Sequence, residues 1–176
     1  MYKLLFRLIK HRWLDRSDTL RAIPDDMAER LAQRVAASEA RHTGEIRLCV
    51  EAALPSSYIW RSGRNGVPSA LVRERALGWF GRLGVWDTEH NNGVLIYLLL
   101  GEHAIEIVAD RALTRRVDHE QWQAMVDRLG SRLFKGAFED GLTEALEEVS
   151  ALLVAHFPLD AEALRPNELN NAVVRA

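Results

Sequence analysis

The stretch Gly93-Val-Leu-Ile-Tyr-Leu-Leu-Leu100 is apolar at every position after its glycine. A strand with one wet face alternates apolar and polar residues. A strand that does not alternate is buried on both faces and needs a layer above and below it. Seven apolar residues are too few to span a bilayer. Gly101-Glu102 then signals a tight turn, and Ala104-Ile-Glu-Ile-Val-Ala109 alternates as a returning strand, so the two form a hairpin. Upstream, Glu45 to Glu51 also alternates. Ile46, Leu48 and Val50 share one face, and Arg47, Cys49 and Glu51 share the other, which predicts a strand half-buried or near an edge. Residues 69–82 lie between these strands with helical spacing, Val72, Ala76, Trp79, Phe80 and Leu83 facing inward. A helical crossover of that kind makes the first and second strands parallel.

Three further helices supply the layers. Ile23-Pro24-Asp25-Asp26 opens one: proline suits the first turn, and two carboxylates complement the amide end of the dipole. Met27, Leu31 and Val35 continue it to about Arg41, before a break at Thr43-Gly44. His119 to Phe134 turns Trp122, Met125, Val126, Leu129 and Leu133 inward, and Phe138 to Phe157 carries a leucine stripe with an acidic outer face. The class is α/β. The chain divides into an amphipathic N-terminal segment (1–22), one domain (23–157) and a tail without a pattern (158–176). Apolar residues at 48 % and charged residues at 27 % exclude wholesale disorder.

Lys and Arg number 23 against 25 Asp and Glu, a net charge of −2, which gives no global pull toward nucleic acid. No nucleic-acid partner is expected. Residues 54–68 read as a loop in which Tyr58, Trp60, Arg61 and Arg64 interleave; a surface loop or a self-association patch accounts for them better than base stacking. Cys49, the single cysteine, excludes a disulfide framework and reads as a small packed side chain.

In the first fourteen residues Tyr2, Leu5, Phe6, Ile9 and Trp13 recur at helical spacing, with Lys3, Arg7 and Lys10 on another face. Two readings stay open. The stripe docks on the domain's own core, or Lys3, Phe6, Arg7, Lys10 and Trp13 meet a membrane surface or a partner. Charges interrupt the apolar residues and no small-residue cleavage site follows, so the stretch makes a poor signal peptide and a cytoplasmic location is expected.

The topology also brings chemistry together. Parallel first and second strands start at one end of the sheet, and the hairpin returns the third strand there. Glu45, Asp87, Glu89, Asn92 and Asp110 are therefore candidate ligands in a polar cleft, lined further by Thr43, Gly44, His90, Asn91 and Arg111. Carboxylate and amide oxygens are hard donors suited to Ca²⁺ or Mg²⁺. Three readings remain open here: residues that only cap turns and helices, a weak divalent site, or a catalytic site with His90 as acid or base. No zinc, Walker-type or Gly-x-Ser-x-Gly motif is present, and Gly63-Arg-Asn-Gly66 is a weak phosphate-loop candidate.

Four stretches, in this order and spacing, resemble the TPM-domain family, which includes a thylakoid-lumen photosystem II repair protein. They are Thr43-Gly-Glu-Ile46, the run from Trp86-Asp87 to Asn92-Gly-Val-Leu95, Ile105-Glu-Ile-Val-Ala-Asp-Arg111, and Phe134-Lys-Gly-Ala-Phe-Glu-Asp-Gly-Leu142. The resemblance implies a three-layer α-β-α sandwich around a small mixed sheet. It implies divalent-cation binding and acid phosphatase activity for some members, and LemA-like membrane proteins as partners of bacterial ones. The expected function is a non-enzymatic accessory or interaction module; the alternative is a divalent-dependent phosphatase of phosphomonoesters. The chain departs from the family where Asp-Asn-Gly is commoner: His90-Asn91-Asn92-Gly93 has one carboxylate fewer, and Ala109-Asp110-Arg111 replaces a glycine-rich segment.

Overall fold

A computed structural model describes residues 2–63, 66–159 and 168–176. β1 (Ile46–Glu51) and β2 (Val94–Leu99) pair in parallel, with Ile46 opposite Val94 and Glu51 opposite Leu99. β3 (Ala104–Ala109) returns antiparallel to β2 after a short 3₁₀ turn at Leu100–Glu102. The hairpin and the parallel crossover are thus as the sequence implies.

The margin of the sheet is not. β1 is interior and buried at every residue. Its outer edge is covered by β4 (Val174–Arg175), which runs parallel to it, Cys49 opposite Val174 and Val50 opposite Arg175. The order is β3-β2-β1-β4. The Ala52 N–H donates to the Ala176 carbonyl at 2.8 Å, and the Ala176 N–H to the Val50 carbonyl at 2.9 Å. The segment read as a patternless tail therefore completes the sheet. A two-residue strand is too short to show a period.

Helices cover both faces. On one side α3 (Asp25–Glu39), α7 (His119–Phe134) and α8 (Phe138–His156) bury Ile46, Leu48, Val50, Ile96 and Leu98 under Leu31, Val35, Leu129, Val149 and Leu153. On the other, α5 (Ser69–Arg82) and α4 (Ser56–Ser62) bury Cys49, Leu95, Tyr97 and Leu99 under Ile59, Val72, Ala76 and Phe80. The alternation of β1 is thus a division between two cores rather than between core and water. The acidic outer face of α8 is partly tied to its neighbours: Arg30 forks Glu139 at 2.7 Å, and Arg132 reaches Glu144 at 2.9 Å. Burial pushes the Cys49 thiol well above its usual range, so it is inert packing.

Two expectations fail beside α5. The stretch read as a loop contains α4, which starts after Pro55, and its Arg61 forks Glu74 at 2.6 and 2.7 Å. Arg64 and Asn65 lie outside the described residues. Glu51, read as half-buried, is enclosed. Arg75 donates to both of its carboxylate oxygens, Trp79 Nε1 donates to it at 2.9 Å, and the Tyr97 hydroxyl at 2.7 Å. The Arg75 guanidinium also lies over the Tyr58 and Trp79 rings. The carboxylate holds Arg75 above its ordinary pKa, and burial raises the Tyr97 phenol.

The N-terminal segment is two helices. α1 (Tyr2–Trp13) rides on α4, and α2 (Arg16–Ala22) touches β1 and β4. Asp15 separates them, because it and Asp18 form a reciprocal capping box that starts α2. Among the described residues no helix is long and apolar enough to cross a membrane.

Gly78 lies mid-way along α5, and a methyl group added there would meet nothing within 4 Å. Gly78→Ala is expected to raise stability by about 0.5–1 kcal/mol, read as a higher urea midpoint at unchanged slope.

Candidate functional site at the shared strand end

The backbone assembles the expected end of the sheet. Val94 N–H donates to the Glu45 carbonyl at 2.8 Å, joining the starts of β1 and β2. Asp110 N–H donates to the Gly93 carbonyl at 2.9 Å, joining the exit of β3. Ala112 N–H, in the short helix α6 (Arg111–Thr114), donates to the Asn91 carbonyl at 3.0 Å. Approach is close enough that two positions need glycine. A Cβ at Gly44 would stand 2.4 Å from a Leu153 methyl, and one at Gly93 would stand 2.0 Å from the Val85 carbonyl oxygen.

Side chains divide into an inner and an outer group. Inside, Asn92 donates its amide to Thr43 Oγ1 at 3.0 Å, and its own N–H goes to Thr88 Oγ1 at 3.1 Å. Asp110 caps α6, its Oδ1 accepting the Arg111 N–H at 2.6 Å. The Glu45 carboxylate is fully buried and accepts the Glu168 N–H at 3.3 Å. Outside, Asp87, Glu89, His90 and Asn91 are exposed on the loop before β2, and the Glu89 N–H reaches the Glu168 carboxylate at 3.1 Å. Asn91 sits in the left-handed region at φ +51°, which asparagine tolerates. Arg111 is largely exposed, 3.9 Å from Asp110.

Two atoms stand apart. Asn92 Oδ1 and Asp110 Oδ2 are buried and have no hydrogen-bond partner among the described residues. They are hard oxygens on adjoining strand ends, as a Ca²⁺ or Mg²⁺ ion requires. Among the described residues no three His, Cys, Asp or Glu side chains converge into a group that could hold a metal. Two hard oxygens by themselves are fewer than the ligands that either ion takes.

Sequence reading missed the layer beneath. Glu39 accepts the Ile46 N–H at 2.9 Å, His42 bridges Ser38 Oγ at 2.8 Å and the Gly44 carbonyl at 3.1 Å, and Arg47 is buried beside Glu39 and Glu45. Burial lowers the Arg47 guanidinium from its usual pKa. The charged residues at the end of α3 and in β1 were the available signal. Glu168 had none, since it belongs to the stretch without periodicity.

A four-stranded mixed sheet between helical layers, with polar groups gathered where the parallel strands begin, defines a three-layer α-β-α sandwich. The same fold is found in the NMR structure of the BA42 protein from the psychrophilic bacterium Bizionia argentinensis, with a TM-score of 0.72 and 21 % identity over 88 % of this chain and 95 % of that one. The family model of the TPM domain matches residues 17–152, and the chain belongs to that family. A search of curated proteins finds no match.

Proposed function

We propose that this TPM-domain chain is a non-enzymatic accessory or interaction module with a weak divalent-cation site at the shared strand end. The buried, unpartnered oxygens of Asn92 and Asp110 carry this reading. Leaving such an atom unsatisfied costs about 1–3 kcal/mol, which a hydrated Ca²⁺ or Mg²⁺ would offset. The neighbouring groups are engaged in holding backbone: Thr88 accepts from Asn92, Asp110 caps α6, and the Glu168 N–H occupies Glu45. That leaves Asp87, Glu89 and His90, exposed on the loop before β2, as the groups able to move a proton. The charge-interrupted N-terminal stretch, a poor signal peptide, supports a cytoplasmic place at the envelope, and the family resemblance supports a LemA-like membrane protein as partner.

Amide NMR titration with Ca²⁺ and then Mg²⁺ tests the site. Saturable shifts at residues 43–45, 87–93 and 109–112 are expected, with an affinity of about 0.1–1 mM. Asp110→Asn keeps the cap and removes the charge, and is expected to weaken binding about tenfold. No shifts at saturating ion would sink the cation site. The alternative, a phosphatase using Asp87, Glu89 and Asp110 as ligands, predicts metal-dependent turnover of p-nitrophenyl phosphate that Asp110→Asn abolishes. That result would overturn the non-enzymatic reading.

A further inference from the structure

Helix α1 is mounted the wrong way round for a helix that serves only its own core. Its polar side faces the domain. Arg7 donates to Ser62 Oγ at 3.3 Å and to the Gly63 carbonyl at 3.4 Å, and Lys10 donates to the Gly101 carbonyl. His11 is buried; its Nδ1 accepts the Leu54 N–H at 3.0 Å, which leaves the Nε2 proton for Glu102 at 2.7 Å. Leu8 packs beneath. The opposite side carries the apolar stripe into solvent: Leu5 is 54 % exposed, Phe6 71 %, Ile9 47 % and Trp13 81 %. Trp60 of α4, the helix on which α1 rides, is 64 % exposed as well. The reading in which this stripe docks on the domain is therefore corrected. Arg7 and Lys10, read as contacts for a membrane or partner, hold the helix to the domain instead. The Lys3 side chain lies outside the described ones.

We infer that α1 is an interfacial anchor whose Leu5–Phe6–Ile9–Trp13 face enters the headgroup boundary of an anionic lipid bilayer, with Arg12 and Arg16 at the surface. Charge selects lipid over a second copy of the chain. Arg7 and Lys10 are turned to the domain, so the charges left beside the stripe are the exposed Arg12 and Arg16, with Asp15 between them. Two such helices face to face would repel, whereas anionic headgroups attract each basic residue near the surface. Composition agrees. The stripe exposes large apolar side chains to solvent, and its tryptophan favours the membrane–water boundary. Because the basic side is pinned to the domain, the whole α-β-α body would be held against the membrane rather than tethered to it. This inference is independent of the strand-end cation site.

Co-sedimentation of the full chain with phosphatidylcholine vesicles, with and without phosphatidylserine, tests it. Binding to the anionic vesicles is expected, with a blue shift in tryptophan emission, and it should persist in EDTA. Phe6→Ser with Trp13→Ser is expected to weaken it at least about tenfold, since each buried aromatic side chain contributes on that scale. Phe134→Ser, at a residue 94 % exposed on α7, should leave binding unchanged. Absence of binding to either vesicle, equal loss in the Phe134 variant, or dimerisation without lipid that the Phe6/Trp13 variant abolishes would each overturn the inference. Binding that EDTA removes would assign it to the cation site instead.

Discussion

Glu51→Ala is expected to lower the unfolding free energy by about 3 kcal/mol, because it leaves a partly buried cation and two buried donors without their acceptor. Glu51 is 4 % exposed and accepts hydrogen bonds from three side chains, two on α5 and one on β2. Removing it strands the Arg75 guanidinium, the Trp79 N–H and the Tyr97 hydroxyl together. Each would have to admit water or shift, at the seam where α5 meets the sheet. Urea unfolding read by tryptophan fluorescence measures the change. A paired replacement, Glu51→Leu with Arg75→Met, removes both charges at once and should recover part of the loss, since a buried ion pair contributes less to stability than its breakage costs. A single-variant loss under about 1 kcal/mol would show that water already satisfies the pair.

Gly93→Ala is expected to cost about 3 kcal/mol or more. The added Cβ would sit 2.0 Å from the Val85 carbonyl oxygen, and backbone cannot swing aside as a side-chain tip can. Gly93 also supplies the carbonyl that receives the Asp110 N–H, so any retreat would loosen the β2–β3 end. Far-UV circular dichroism against urea reads the loss of stability. Gly78→Ala is its control, the same chemical change in open space. Equal effects from the two substitutions would remove the steric explanation.

What could be read from the sequence followed from periodicity. The unbroken run ending at Leu100 fixed a central strand and required two helical layers, and α5 and α7 begin and end where their spacing places them. Residues whose environment depends on distant partners were not legible. Glu51 looks like a surface carboxylate until Arg75, Trp79 and Tyr97 are placed around it. The α1 stripe left docking and exposure both open, because the docked side is set by single hydrogen bonds to Ser62, Leu54 and Glu102, which leave no periodic trace. At the strand end, topology alone brought Thr43, Asn92 and Asp110 together. It did not tell which side chains go inward: Asp87 and Glu89 face solvent, while Thr88 between them is buried.

The position of β4 also sets an order of assembly. Val174 and Arg175 pair with Cys49 and Val50, so β1 meets its outer partner only after a long intervening stretch has been made. During synthesis β1, β2 and β3 can pair among themselves while the outer edge of β1 still displays unbonded N–H and C=O groups. Such an edge is a template for pairing with another nascent chain. Closure by β4 is also a long-range contact, which slows its formation relative to the local hairpin. The arrival of β4 thus marks the point at which that side of the sheet ceases to be adhesive.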